Sequence, residues 1–479
     1  MKKIKEIFNL KQINIENILC IFIILCPILD IVSFCFRNIF KTNFSPSTII
    51  RPIIPIAIAI YLFFKKDKKF KIYCLAIGSI YLLYGILHLC AFKTAITGSS
   101  YSTVNHEAQY IVNYTFMILN LFIYIYVFGK SSNVEKLTKS VLISSAIYIG
   151  SIYIAILTNT SSSTYMEERI GYKGWFESGN SIGAILILSL FIIMPYIRDK
   201  GYRKIVIPIV LLEGIFLTTL LGTRVGLLGF IIVIFTYTLV EMIITLLKKG
   251  KINKKTIVGS LIVICTILLF VITLGSATVQ RRKHMYDIEK NIIDTTRNEE
   301  SHITGSLLEI KEKIDNNTLE EGYMNETQKE SIMDLYKIAN KLKVRNNDQR
   351  MQQLIYNTVL VKNQKNPIYL LVGNGYVANF RELVLEMEIP AFLFNFGIIG
   401  FLLYFIPFLG IFVYGIYYSF KKNIKKIDEN YLMLLIGSGF VFVLSFFAGY
   451  TFFNSSNMMI IIVLNTLLIN KINQLKEEK

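Results

Sequence analysis

The sequence predicts an all-α, polytopic membrane protein of about twelve transmembrane helices, and three observations carry that prediction. Hydrophobic residues make up 53% of the 479 and charged residues only 18%, with a mean hydropathy of +0.51. Aliphatic runs of roughly 18–25 residues, each long enough to cross about 30 Å of hydrocarbon as a helix, recur along the chain. Basic residues cluster in every second connection between those runs, the pattern that orients helices in a membrane.

In order, the runs fall at 17–36, 47–64, 70–92, 108–129, 139–158, 179–197, 205–221, 226–247, 257–275, 389–419, 431–450 and 457–470. The connections "FFKKDKKFK", "GKSSNVEKLTK", "RDKGYRK", "KKGKINKKT" and "KKNIKKIDEN", with both termini, hold 28 of the 51 basic residues. The short connections on the opposite side hold seven, and the long loop 276–388 holds sixteen. Both termini are therefore expected in the cytoplasm and the long loop outside, in a bacterial plasma membrane. The same count disposes of nucleic acid as a partner. The cytoplasmic face carries 28 basic and 9 acidic residues, against 16 and 17 in the long loop, so the net charge of +18 is a topology signal. Its counterpart is anionic membrane lipid.

The expected organisation is a transmembrane bundle of helices one to nine (1–275), an extracytoplasmic helical loop domain (276–388), and helices ten to twelve with a cytoplasmic tail (389–479). The loop far exceeds ordinary connection lengths, which marks it as a folded element. Within it "SLLEIKEKI" (306–314), "SIMDLYKIANKLK" (331–343) and "DQRMQQLIYNTVLVKN" (348–363) have helical patterns, and "VGNGY" (372–376) is a glycine-bounded turn. The six cysteines all lie in or beside apolar runs, which excludes a disulfide framework or zinc spacing; no metal or other cofactor is expected. The basic N-terminus lacks a small-residue cleavage site after its apolar run and reads as an uncleaved first span.

Candidate chemistry sits near the expected outer surface. Arg224, in "LLGTRVGLLG", stands in a turn of two or three residues between spans seven and eight. So short a tether holds it in place, and its planar fork suits bidentate phosphate binding. Snorkelling to lipid headgroups is the alternative. Arg350 in "NNDQRMQQLIY" is, taken alone, an ordinary solvated helix residue. Glu386 and Glu388 stand where the loop re-enters the membrane. They complement a helix dipole there, with Pro390 at an early helical position, or one of them serves as a general base. Gly397 and Gly400 most simply allow close helix packing. Within apolar runs, Asp30, Glu213 and Glu241 are functional candidates, because lipid penalises charge. A continuous helix would set Glu213 about 16 Å deeper than Arg224. In "GYKGWFESGNSIG", Asn180 is a plausible helix N-cap and Trp175 an interfacial anchor, or an aromatic beside a sugar-binding surface. His88, His106, His284 and His302 are scattered, with no evident orienting partner.

These features together resemble the O-antigen ligase and polymerase family of bacterial envelope glycosyltransferases. "RIGYKGWFESGNSIG" looks like that family's entry to a membrane helix, and "GTRVGLLG" like its short outer turn with an arginine, which carries over onto Arg224. "DQRMQQLIY" followed by "NPIYLLVGNGY" looks like its loop arginine before a Gly-x-Gly turn, which carries over onto Arg350. "LEMEIPAFLFNFGIIG" looks like the ligases' closing motif, with Glu386 in the place of their histidine. That departure is closer to polymerase-type members from capsule and exopolysaccharide pathways. The resemblance implies glycosyl transfer from an undecaprenyl-pyrophosphate-linked oligosaccharide to an acceptor glycan. Arg224 and Arg350 would clamp the pyrophosphate and Glu386 would accept the acceptor's proton. Glu388, Glu213, Trp175 and Asn180 would line the substrate site, and a flippase and a chain-length regulator would be partners. Two other readings stay open: a ligase that moves finished glycan to an acceptor, and a lipid-linked oligosaccharide flippase. A flippase would more naturally show two related halves, and no internal repeat is visible.

Overall fold

The computed structural model describes residues 14–42, 45–95, 104–166, 168–199, 201–247, 275–295, 306–320, 324–344, 348–376, 383–421 and 427–477, together with positions 258, 259, 261 and 265. The first five helices are α1 (Ile15–Asn38), α2 (Pro46–Lys65), α3 (Lys68–Ala95), α4 (Val104–Phe128) and α5 (Val134–Leu157). After a short β-hairpin come α6 (Gly179–Ile193), extended by a 3₁₀ turn to Arg198, then α7 (Arg203–Ile215) and α8 (Arg224–Leu247). The loop region supplies α9 (Ala277–Thr295), α10 (Ser306–Asp315), α11 (Glu326–Lys341), α12 (Gln349–Asn363) and α13 (Ile368–Val372). The chain ends with α14 (Glu388–Tyr404), α15 (Ile406–Lys421), α16 (Glu429–Phe447) and α17 (Ser455–Glu477).

Among the described residues, nine helices are long and apolar enough to cross a membrane, and α14 with α15, bent by 46°, makes a tenth candidate. The expected seventh span departs from the sequence reading. It is a 13-residue α7 that runs into a π-helical turn, Phe216–Leu220. The expected ninth span, 257–275, lies largely outside the described residues. A short β-hairpin is set among the helices. Antiparallel strands β1 (Ser163–Tyr165) and β2 (Ile170–Tyr172) pair Ser163 with Tyr172 and Tyr165 with Ile170. β-Branched and aromatic residues favour the strands; Arg169, just before β2, takes a positive φ of 52°, and Gly171 within β2 one of 72°.

Helix α6 forms the centre. Its sequence is apolar all round apart from small residues, and a helix of that kind is stable only when covered on every side. All its residues except Asn180 are buried, against α5, α8, α16 and α17. Polar groups inside the bundle come in pairs. Arg51 donates to Asp30 at 2.6 Å, and Asp30 also accepts from Tyr148 at 2.9 Å and Ser456 at 2.6 Å. At the opposite end of α6, Arg198 bridges Glu429 and the buried Glu241.

The loop helices share a small apolar core. Ile332, Leu335 and Tyr336 of α11 meet Tyr356, Val359 and Leu360 of α12, and Phe92 of α3 joins them. Asn325 starts α11 with a capping box to Gln328.

Gly397 does more than allow close packing. It has φ 68° and ψ −176°, so α14 is broken there. The carbonyls freed by the break are taken up by the "VGNGY" turn. Asn374 N donates to Phe394 O at 3.0 Å and Gly375 N to Asn395 O at 2.8 Å, while Tyr84 donates to Phe396 O at 2.7 Å. A Cβ on Gly397 would sit 2.4 Å from Gly373 N, so only glycine fits. Gly400 follows the expectation: Tyr84 of α3 packs where its Cβ would be.

Candidate active site

The turn between α16 and α17 organises the site. Arg350, in the first turn of α12, donates through Nη1 to Phe447 O and through Nη2 to Ala448 O at 3.2 Å. Its Nε lies 3.3 Å from Glu386 Oε2, and both side chains are about one-third exposed (35% each). Glu386 is held from behind by its backbone: its N–H donates to Gln353 Oε1 at 3.0 Å, and its carbonyl fills the space a Cβ on Gly449 would need. Two residues that the sequence left 36 positions apart thus meet, with a carboxylate that still faces out.

Glu388 differs. It is fully buried, and its two oxygens accept from the backbone N–H groups of Phe452 at 2.9 Å and Phe453 at 2.8 Å. It fastens the α16–α17 turn and offers no oxygen to a substrate in this conformation. Asn180 also grips that turn, donating to Ala448 O at 3.3 Å, and Ser181 donates to Tyr450 O at 3.4 Å. The expected N-cap role is corrected: Ser178 caps α6 by accepting from Ser181 N, and Asn180 lies inside the first turn.

Arg224 opens α8, with Thr223 as its cap, and is exposed. Gly222, at φ 82°, reverses the chain before it and lies against Gly171 and Tyr165 of the hairpin. Thr164 donates to Leu221 O at 2.7 Å and ties hairpin to turn. Tyr165 is where the cations converge. Burial pushes its phenol up, Arg281 opposes that, Glu168 adds to it, and Arg224 and Arg350 oppose it further. The fields of three guanidiniums thus reach one ring. Sequence reasoning missed Arg281 and Tyr165, because nothing in "VQRRKH" marks one cation among three.

The other expected residues lie apart from this cluster. Glu213 is fully buried and accepts from Ser145, while its second oxygen has no partner. The π turn and Gly222 interrupt the path to Arg224, so the 16 Å depth of a continuous helix does not apply. Trp175 is half-buried and donates to Thr160 at 2.9 Å. Nearby Lys173 donates to Glu177 O at 2.9 Å, and burial pushes its ammonium down. His88 has orienting partners after all: its ring nitrogens lie 2.6 Å from Val372 O and 2.8 Å from Glu107, whose other oxygen accepts from Tyr376 N. That knot is fully buried beside the break at Gly397.

A family model for O-antigen ligase like membrane proteins matches residues 13–475. The chain belongs to this family. No curated protein and no solved structure matches it. Membership supports a multi-pass membrane enzyme of envelope polysaccharide biosynthesis, with a lipid-linked glycan as substrate. In this O-antigen ligase-like chain a glutamate, Glu386, stands beside the loop arginine.

Proposed function

We propose that the chain polymerises undecaprenyl-pyrophosphate-linked oligosaccharide repeats into a surface polysaccharide at the outer face of the plasma membrane. The observation that carries this reading is the Arg350–Glu386 pair, half-open beside the turn at Ala448, with the exposed Arg224 in the same electrostatic neighbourhood. In the reaction, the acceptor hydroxyl oxygen attacks the anomeric carbon of the donor. The bond from that carbon to the pyrophosphate oxygen breaks, and the electron pair leaves with the phosphate. Glu386 takes the hydroxyl proton, and direct displacement with inversion is the simpler course. Arg224, exposed at the start of α8, stabilises the charge that grows on the leaving group. Arg350, 3.3 Å from its Oε2, orients Glu386. A flippase supplies the repeats and a chain-length regulator limits the product. The second reading, favoured by the family description, is a ligase in which the same groups serve a different acceptor.

Complementation of a deletion strain with expression-matched wild type, Arg224→Ala and Glu386→Gln tests the reading. Wild type should restore long chains, and both variants should leave single lipid-linked repeats, with turnover about a hundred-fold or more below wild type. Long lipid-linked chains that accumulate without transfer favour the ligase. Variants that match wild type remove the clamp-and-base mechanism.

A further inference from the structure

Arg281 is the arginine of this site whose surroundings remain unexplained. It lies on the second turn of α9, a helix whose start is fastened to the turn that carries Arg224. Ser276 donates to Thr218 O at 2.8 Å, and Thr278 donates to Thr223 O at 3.3 Å. The guanidinium carbon stands 3.5 Å from the centre of the Tyr165 ring. Stacking of this kind occupies one face of the guanidinium and none of its five donors. Glu168 Oε2 is 3.7 Å from Nε, beyond hydrogen-bond reach. Both atoms are buried and without a hydrogen-bond partner. The contrast with other arginines is plain, since Arg51, Arg198 and Arg350 all spend donors on carboxylates, hydroxyls or carbonyls. A buried guanidinium N–H with no hydrogen-bond partner among the described residues, on a side chain one-third exposed, is unfavourable until a ligand completes it.

We propose that Arg281 is a further anion-binding residue, held flat on Tyr165 so that its fork receives the pyrophosphate of the lipid-linked substrate alongside Arg224. Glu168 is its counter-ion, at 3.7 Å from Nε, and yields that place to the phosphate. The inference rests on the substrate class proposed above. Tyr165 serves as the platform: it fixes the plane of the fork, which a lysine at position 281 would lose.

The test is binding of undecaprenyl pyrophosphate to the purified full chain in lipid nanodiscs, with undecaprenyl monophosphate and undecaprenol as controls. Arg281→Ala should weaken pyrophosphate binding about ten- to a hundred-fold and flatten its salt dependence, while undecaprenol binding stays unchanged. Arg281→Lys should recover only part of the loss, and Glu168→Gln should tighten binding about threefold or more, because the competing carboxylate is neutralised. Pyrophosphate binding by Arg281→Ala equal to wild type overturns the proposal. If that variant does not fold, the Lys and Gln variants decide: wild-type affinity in both also overturns it. A wild-type protein that does not prefer the pyrophosphate lipid over undecaprenol fails differently, because then the substrate class itself is wrong.

Discussion

Two polar regions of the molecule are built on opposite principles. In the knot around Gly397, most polar groups are spent inside the protein: His88 on Val372 and Glu107, Glu107 on Tyr376, Tyr84 and the "VGNGY" turn on the freed carbonyls of α14. Around Tyr165, Arg224 is exposed, Arg281 Nε has no hydrogen-bond partner among the described residues, and the Arg350–Glu386 pair is one-third exposed. The first region has the chemistry of architecture, and the second is the one proposed to take a ligand. Residue type does not separate them, since both contain carboxylates, aromatic rings and cationic or imidazole groups. What separates them is whether the hydrogen-bonding capacity is already used.

The sharpest way to break that distinction is at Gly397 itself. Gly397→Ala forces a side chain onto a φ of 68° and places its Cβ 2.4 Å from a backbone nitrogen. Strain of this kind costs on the order of 3 kcal/mol or more, so the yield of folded, monodisperse protein and its melting temperature should fall markedly. Near-wild-type stability would mean that the break in α14 is not needed to seat the turn.

The two glutamates at 386 and 388 apply the same comparison across a single intervening residue. Glu388→Gln leaves one of the backbone donors at Phe452 and Phe453 without its carboxylate oxygen, and should lower stability by about 1–3 kcal/mol. Protein that remains folded should keep most of its activity, whereas Glu386→Gln should fold normally and lose turnover. Thermal melts and polymer assays on both variants read this out, and the reverse pattern would exchange their roles.

How much of this was legible beforehand follows from the range of each signal. Most of the apolar helices, the arginine in its short turn and the carboxylates at the start of α14 are local features that periodicity and spacing expose. The meeting of Arg350 with Phe447 joins positions 97 residues apart, and no local pattern encodes it. The sequence reading places the cap at Asn180, and only the backbone shows that Ser178 is the residue whose hydroxyl accepts from the N–H three positions on, at Ser181. Gly397 reads as a packing glycine until its positive φ is known. Arg281 stands in a run of three cations, and what singles it out is Tyr165, which arrives from a hairpin more than a hundred residues earlier.

Trp175 gives the smallest expected effect and the finest test of the distinction. As the one tryptophan, in a segment next to the membrane, it invites a sugar-stacking role. Its indole N–H, however, is already committed to Thr160 at 2.9 Å, which places it with the spent groups. Trp175→Phe keeps an aromatic face and removes that donor. Stability should fall by about 1 kcal/mol or less, and the substrate KM should stay within about twofold of wild type. Thr160→Val removes the other partner and should reproduce the same small loss. Should Trp175→Phe instead raise KM about tenfold with the melting temperature unchanged, a residue with its donor spent would be acting on the substrate. Hydrogen-bond satisfaction would then no longer separate scaffold from site in this protein, and the case for Arg281 would have to stand on its contact with Tyr165 alone.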